Sequence, residues 1–340
     1  MTSTTTQKKV LFSLASIALG IYAQIHKMHI TGPIFDPILG ACSEPHGTVA
    51  DFVKATGYQP YEPVTGMGIF TPIVCVVTQF MYQLRNTYPS GYITWALAVV
   101  GIFPLSLIMS VEGGRSGAKG PIRYPILMGI IHQLLGMSVS VPLFWVPAFI
   151  WGRGEGPVTP MRLYLSVAAT IPACIFSTLV FLVDTDSYLW RLSAGILGGP
   201  ILAVVTGFVL IFDTPPDKDS KEAIRKHLKA TNEAYGFMTI ACLIFWAALV
   251  RLTFASYGFD LKGIWSALFT EADPGVAFLT LDYILIYIGV IFGFFAYQSW
   301  FTATKTLLAA TLIGPAALTV AAERLEVVAS EKMLQKAKVA

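Results

Sequence analysis

A few ionisable side chains lie in or beside long apolar stretches of this chain, and they are its first candidates for chemistry. Glu112 ends one apolar stretch, and Asp282 lies near the start of another. A charged side chain within a membrane span costs about 2.5–3.5 kcal/mol even on lenient insertion scales, so such residues are functional candidates by default. Desolvation and neighbouring like charges favour a protonated carboxyl, and a neutral carboxylic acid beside an apolar cavity can protonate a weak base. The two acids therefore predict a proton donor in apolar surroundings. Each also has a structural alternative: Glu112 would pair with Arg115 at the membrane interface, and Asp282 would cap the start of its helix.

Other polar or aromatic residues in these stretches have competing interpretations. His132 and Gln133 would either hydrogen-bond between helices or contact an oxygen of a ligand. Trp145 is one of the tryptophans deep in an apolar stretch, and desolvated aromatic faces stabilise cations by up to about 2 kcal/mol. His26 and His29 have a spacing compatible with metal binding, but no third ligand is near them in the sequence, so no metal site is predicted.

The elements that must position these residues follow from composition. Of the 340 residues, 55% are hydrophobic and 13% charged, whereas soluble domains carry about 25% charged residues. The apolar blocks have the length of roughly 20 residues that a membrane-spanning helix needs, and a helix satisfies every backbone group there. The sequence therefore predicts an all-α, polytopic transmembrane helical bundle, a single domain over 1–340, with eight or nine spans. We place them at about 10–28, 67–84, 91–111, 124–151, 163–183, 192–212, 236–256, 277–297 and 303–322. The last is alternatively a shorter interfacial helix.

Three segments lie outside the predicted spans: a long loop at 29–66, a basic connection at 213–235 and a polar tail at 323–340. The positive-inside rule places the basic connection in the cytosol, and Lys8 and Lys9 then lie on the same side. Alternation places five ionisable residues toward the opposite face: Glu112, Asp184, Asp186, Arg251 and Asp282. Arg115, Lys119 and Arg123 also fall there, against the positive-inside rule.

Further residues have purely structural interpretations. Asp184 and Asp186, in the run Asp-Thr-Asp-Ser, predict a solvated turn that caps the next helix. Cys75, Cys174 and Cys242 lie in apolar stretches without ligand-like spacing, which predicts soft packing residues.

The net charge of +3 indicates no nucleic-acid partner. The sequence has no Asp-Asp-x-x-Asp run, Walker A loop, His-Glu-x-x-His or Gly-x-Ser-x-Gly motif. It therefore lacks the residues typical of enzymes that act on diphosphates, of zinc hydrolases and of serine hydrolases.

Short motifs between residues 67 and 300 resemble a known family. They are the run Val111–Gly117, which contains Glu112 and Arg115, then Gln133, Pro142-Leu143-Phe144 and Leu281-Asp282-Tyr283. Together they resemble the fungal integral-membrane terpene cyclases of meroterpenoid biosynthesis, of the ascofuranone and ascochlorin type. Ala118 follows Gly117 where many relatives are expected to have a Gly-Asn pair.

The resemblance implies an enzyme, for which no cofactor or metal is expected. It would protonate a terminal epoxide or alkene of a prenylated aromatic or polyketide substrate and cyclise it without loss of diphosphate. The implied catalytic residues are Glu112 and Asp282, one as general acid and the other as its partner or the base. The expected substrate-binding residues are Arg115, His132, Gln133, Trp145 and Tyr283, with Arg115 also fixing the Glu112 carboxylate. A prenyltransferase and an epoxidase would act upstream, and the expected location is the endoplasmic reticulum membrane.

Two rival functions remain open. A small-molecule transporter or receptor would often show a repeat and interrupted helices at matching positions, and the sequence has prolines within several spans but no repeat. A sterol-isomerase-like membrane enzyme is chemically close to the cyclase, because it also protonates an alkene from a buried acid.

Overall fold

The structure, a computed structural model, describes residues 2–43, 71–185, 187–194 and 220–339, and within these ranges it contains helices and no strand. The helices are α1 (Thr2–Ser43), α2 (Thr71–Asn86), α3 (Ser90–Gly113), α4 (Pro125–Leu135), α5 (Met137–Gly152), α6 (Pro160–Leu182), α7 (Tyr188–Leu192), α8 (Lys221–Tyr257), α9 (Leu261–Trp265), α10 (Pro274–Tyr297), α11 (Trp300–Ile313) and α12 (Ala316–Val339). Thr159, Ser220 and Asp273 begin α6, α8 and α10, because each side chain accepts a hydrogen bond from a first-turn amide.

Within the described ranges, five helices are long and apolar enough to cross a membrane: Thr6–Lys27 of α1, then α3, α6, α8 and α10. The prediction of a multi-pass helical membrane protein is confirmed at this level, but the count of eight or nine spans is not. The predicted span 67–84 corresponds to α2, which has 16 residues. The predicted spans 124–151 and 303–322 are each divided between two shorter helices. Most of the predicted span 192–212 lies outside the described residues.

Helices α3 and α10 run side by side in the same direction and define the two ends of the bundle. In their first halves Ala98 and Leu279 belong to the same hydrophobic cluster, and a Cβ on Gly101 of α3 would lie 3.0 Å from the Tyr283 ring of α10. At their carboxyl ends Arg153 hydrogen-bonds to Glu112 and also lies 5.2 Å from the ring centre of Tyr297. We call the end that holds Glu112 the basal end and the opposite end the distal end.

Helix α1 runs the other way, from the basal to the distal end. Phe12 stacks on Phe295 with ring centres 5.1 Å apart, and Lys27 Nζ lies 5.4 Å from the ring centre of Phe278 of α10. Because the N-terminal part of α1 lies at the basal end, Lys8 and Lys9 lie there too.

A disulfide holds α2 against the distal extension of α1. It joins Cys42 of α1 to Cys75 of α2, and Phe80 of α2 packs edge-on against Phe278 near the start of α10. Helix α2 therefore leads back to α3 at the distal end without crossing. The prediction that Cys75 is only a packing residue is wrong, because its sulfur is covalently paired.

Residues 125–152 form a first hairpin that enters the bundle from the basal end and returns to it. A Cβ on Gly113, at the basal end of α3, would lie 2.7 Å from Pro125 Cγ, and the Lys119 amide donates to the Gly152 carbonyl at 2.8 Å. The chain reverses at Gly136, where φ is +80°, a conformation that favours glycine. Helix α4 has 11 residues and a length of about 16 Å, about half of the hydrocarbon thickness.

Residues 300–339 form a second hairpin that opens to the same end. The chain reverses at Gly314, with φ +54°, and Pro315 follows it, so α11 cannot continue. The Gly314 carbonyl accepts a hydrogen bond of 2.5 Å from the Tyr287 hydroxyl. On the return path Gln298 donates to the Ala321 carbonyl at 2.9 Å, close to the basal end of α10.

The two hairpins solve one physical problem with different side chains. A helix that ends inside a bilayer leaves its last carbonyls without partners, and no water is there to satisfy them. In the first hairpin Lys27 Nζ donates to the Leu135 carbonyl at 2.7 Å. In the second, Trp246 Nε1–H donates to the Leu312 carbonyl at 3.0 Å. A charged group therefore caps one tip and a neutral group caps the other.

Candidate functional site

Polar side chains gather at the tip of the first hairpin, and we call this group the tip cluster: Lys27, His132, Ser138, Ser140 and Asp282. The Asp282 carboxyl is hydrogen-bonded to the Ser138 hydroxyl and interacts electrostatically with the Lys27 ammonium. Lys27 also lies 5.4 Å from the ring centre of Phe278. Asp282 is the ninth residue of α10, about 12 Å from the start of that helix, so it lies at membrane depth.

His132 is held on the other side of the same turn. Its Nδ1 lies 2.6 Å from the Ser140 hydroxyl oxygen, and that hydroxyl donates to the Gly136 carbonyl, also at 2.6 Å. Only 7% of His132 is exposed, and its Nε2 has no hydrogen-bond partner among the described residues. The imidazole is therefore anchored at one nitrogen and has an unused hydrogen-bonding site at the other.

The predicted aromatic residues occupy different surroundings. Tyr283 is half-buried and packs against α3, where a Cβ on Gly101 would lie 3.0 Å from its ring. Its ring also lies 5.5 Å from that of Tyr287. Trp145 is 1% exposed and stacks on Phe149 with ring centres 5.2 Å apart. It ends the π-helical turn Val141–Trp145 of α5, and such turns are frequent at functional sites.

A second buried group, the basal cluster, lies at the end of α3: Glu112, Arg115, Arg153, His227 and Glu326. Glu112 accepts from Arg115 Nε at 2.8 Å and from Arg153 Nε at 2.9 Å. Glu326 accepts from Arg153 Nη2 at 3.0 Å and is also paired with Arg115. Two carboxylates and two guanidiniums balance within one contact network, which buried charges require.

His227 completes the basal cluster as a neutral ring. Its Nδ1 accepts from the Val158 amide at 3.3 Å, so its Nε2 carries the proton and donates to Glu326 at 3.2 Å. Burial alone would raise the pKa of Glu326. Arg115, the hydrogen bond from His227 and Arg153 outweigh that effect and hold this pKa well below its usual range. Glu326 is therefore an ionised carboxylate at neutral pH.

The two predicted catalytic acids are not brought together. Glu112 shares Arg153 with Tyr297 at the end of α10, whereas Asp282 lies 15 residues earlier in the same helix, about 22 Å along its axis. The prediction that both lie toward one face is wrong, because α2 does not cross and the direction of α3 is reversed. The first hairpin does not cross either. Because two predicted crossings are absent before α6, the predicted direction is correct again from α6 onward. Asp184 and Asp282 therefore lie toward the same end, as predicted.

The remaining predicted residues lie in several places. Arg115 is in the basal cluster, away from the tip cluster. Asp184 is exposed just after α6, as the turn prediction requires, and Arg251 is exposed on α8. Two further positions fall outside what the structure describes: the side chain of Gln133 and residue Asp186.

Sequence reasoning missed Lys27, Ser138, Arg153, His227 and Glu326. Glu326 lies in the predicted polar tail, which forms the last part of helix α12 and buries Leu325, Glu326 and Ser330. Its signal is the apolar spacing of Leu318, Ala322 and Leu325 on the face beside it, which is helical. Lys27 gave a weaker signal, as a cation at the end of the first apolar stretch.

Comparison of the chain with protein-family models, with curated proteins and with solved structures found no match. The geometry of the two clusters therefore carries the functional argument.

Proposed function

We propose that the protein is a membrane-bound cyclase that protonates a terminal epoxide or alkene of a prenylated aromatic or polyketide substrate, with Asp282 as the proton-transferring group. The observation that supports this proposal most is the position of Asp282, on α10 inside the bundle, beside the tip of the first hairpin, where it contacts Ser138 and Lys27. Irregular backbone at membrane depth is tolerated where it is buried or lines a cavity, and an ionisable residue there is a functional candidate.

The proposed reaction is an isomerisation. The Asp282 carboxyl gives its proton to the epoxide oxygen, and the carbon–oxygen bond opens to leave a carbocation. An alkene or a hydroxyl of the same molecule forms the new ring bond, and the proton released in the last step returns to the Asp282 carboxylate. Ser138 orients the carboxyl through its hydrogen bond.

The Lys27 ammonium does not have to draw the Asp282 carboxyl into a permanent ion pair. Lys27 donates to the Leu135 carbonyl at the end of α4, where the helix dipole presents about half a negative charge. The helix end therefore offsets part of the lysine charge. This arrangement supports Asp282, rather than Glu112, as the acid, because two guanidiniums contact Glu112 directly.

The test uses microsomes that contain the full-length protein and, as control, microsomes of the same host without it. Both are incubated with an epoxidised farnesyl-phenol, and the products are analysed by mass spectrometry. The proposal expects a new compound of unchanged mass that is absent from the control. A product heavier by one water would indicate hydrolysis and would contradict the proposal.

A second candidate, a small-molecule transporter, is favoured by the two hairpins. Both enter from the basal end and reverse at a glycine, Gly136 or Gly314, and interrupted helices often form the substrate site of transporters. Purified protein in liposomes distinguishes the two functions. A transporter would accumulate the prenylated compound unchanged, whereas the cyclase would convert it.

We also propose that the basal end faces the cytosol and that the membrane is that of the endoplasmic reticulum. Lys8 and Lys9 lie at the basal end, and the loop with Arg115, Lys119 and Arg123 now lies there as well, in agreement with the positive-inside rule. The disulfide lies at the distal end, and disulfides persist in the lumen rather than in the cytosol. Maleimide labelling of Cys42 and Cys75 in sealed microsomes should require both reduction and permeabilisation. Labelling after reduction alone, with a membrane-impermeant reductant and probe, would reverse the orientation.

A further inference from the structure

The hydrogen bonds around His132 determine which of its nitrogens carries the proton. The Gly136 carbonyl can only accept, so the single proton of the Ser140 hydroxyl is committed to it at 2.6 Å. The Ser140 oxygen must then accept from His132 Nδ1–H, also at 2.6 Å. In the neutral ring, Nε2 therefore carries a lone pair, and it is a hydrogen-bond acceptor without a donor among the described residues.

A buried hydrogen-bond acceptor without a donor lowers the stability of the folded protein, so its presence calls for a physical explanation. An unsatisfied buried polar atom costs about 1–3 kcal/mol, and such atoms in native proteins are few. The remedy for an acceptor is a donor, and in an apolar interior the compatible donor is a neutral hydroxyl. A charged ligand group would need a counter-charge, which the Nε2 lone pair does not supply.

His132 and Asp282 lie on different sides of the first turn of α5. Ser138 contacts the Asp282 carboxyl, whereas Ser140 contacts the His132 ring. Two residues along a helix differ by about 200° in direction. The imidazole is therefore not the hydrogen-bond partner of Asp282, and a ligand that engages both groups must extend past this turn.

We propose that His132 Nε2 accepts a hydrogen bond from the phenolic or enolic hydroxyl of the substrate's head group, while the far end of the prenyl chain reaches Asp282. This inference rests on the proposed cyclase function and adds the element that recognises the head group. His132 is a binding residue in this scheme and takes no part in proton transfer to the epoxide.

The test compares the binding of a farnesyl-phenol and its O-methyl ether to purified protein in nanodiscs. The ether keeps the shape of the head group but has no hydroxyl proton. Wild-type protein should bind the phenol at least about tenfold more tightly than the ether. His132→Asn keeps a donor toward Ser140 and removes the outer acceptor, so it should lose this preference. His132→Gln, which extends a carbonyl oxygen outward, should retain part of it.

A second measurement observes the two ring nitrogens of His132 directly, first without a ligand and then with the phenol. In protein labelled with ¹⁵N-histidine, the His132 signals should show a protonated Nδ1 and an unprotonated Nε2, and the phenol should shift the Nε2 signal. Ser140→Ala should remove the bias between the two tautomers. Equal binding of phenol and ether, no binding of either, a preference that survives in His132→Asn, or a protonated Nε2 in the free protein would each overturn the inference.

Failure of this inference and failure of the cyclase proposal are distinguishable. If the methyl ether of the epoxidised substrate is cyclised at the same rate as the phenol, the cyclase function is supported and the proposed role of His132 is contradicted. If the phenol is bound selectively through His132 but no isomer forms, recognition of the head group by His132 is supported and the cyclase function is contradicted.

Discussion

The tip cluster and the basal cluster are both groups of buried or half-buried polar side chains, and each contains one histidine. In the basal cluster both nitrogens of His227 have partners, and each carboxylate has two guanidiniums. In the tip cluster His132 uses one nitrogen and leaves the other without a partner among the described residues. The basal cluster is complete without a ligand, whereas the tip cluster has hydrogen-bonding capacity left over.

This difference separates two uses of buried polarity. A balanced network rigidifies a structure, because every removal leaves a buried charge without its partner. The basal cluster joins α3, the loop after α5, α8 and α12, so it closes the basal end around both hairpins. A cluster with an unused hydrogen-bonding atom can bind a ligand through that atom. We therefore expect substitutions in the basal cluster to affect folding and substitutions in the tip cluster to affect turnover.

The largest effect is expected at Asp282. Asp282→Asn keeps the size of the side chain and removes its proton-transfer capacity, which contributes about 10²–10⁴-fold to a rate. Product formation should fall by at least about 100-fold, while the amount of folded protein, measured by size-exclusion chromatography, stays near that of the wild type. Asp184→Asn, at an exposed carboxyl of the same end, is the matched control and should leave the rate unchanged. Normal turnover in Asp282→Asn would contradict the assignment of proton transfer to the tip cluster.

Glu326 should give the largest effect on stability. Glu326→Gln leaves Arg115 and Arg153 with too little negative charge in a buried site, and breaking a buried pair costs about 3–5 kcal/mol. We expect a clear drop in the unfolding midpoint in detergent. Glu331→Gln, at an exposed position of the same helix, should change it little. Equal midpoints for the two variants would show that the basal cluster does not hold α12 in place.

How much of this arrangement the sequence predicts depends on the kind of signal. The limits of α3, α6 and α10 agree within about three residues with the predicted spans 91–111, 163–183 and 277–297, because long apolar runs fix helices. The first hairpin was not predicted, because hydropathy measures the length of an apolar segment and not its direction. Its reversal depends on one residue, Gly136, and on the Lys27 side chain that caps the helix before it.

The same limit applies to the sites. Asp282 was identified because a lone carboxyl in an apolar run is costly wherever the helix lies. Its partners were not identified, because Lys27 is 255 residues away in the sequence and Ser138 is an ordinary small residue until the hairpin brings it to α10. Glu326 was missed because a charge in a polar segment resembles a solvated one.

A smaller effect is expected from pH. The pKa of Glu326 is lowered in the folded protein, so its contribution to stability is complete above the usual carboxyl range near 4.5 and is lost only as pH falls through the lowered value. The difference in unfolding midpoint between wild type and Glu326→Gln should therefore be constant from pH 7 to pH 5 and narrow below that range. A difference that shrinks between pH 7 and pH 5 would mean that the carboxylate is not held ionised by its two arginines.

The smallest effect on turnover is expected at Glu112, the acid that the family resemblance places beside Asp282. Glu112→Gln should lower the unfolding midpoint as Glu326→Gln does, because it also unbalances Arg115 and Arg153. The rate per folded molecule should stay within about threefold of the wild type, since Glu112 shares Arg153 with Tyr297, and Tyr297 is about 22 Å from Asp282 along α10. Activity normalised to the monodisperse fraction separates the two effects. A 100-fold loss in well-folded Glu112→Gln would restore Glu112 to the reaction, and it would require the substrate, or a proton, to cover that distance within the bundle.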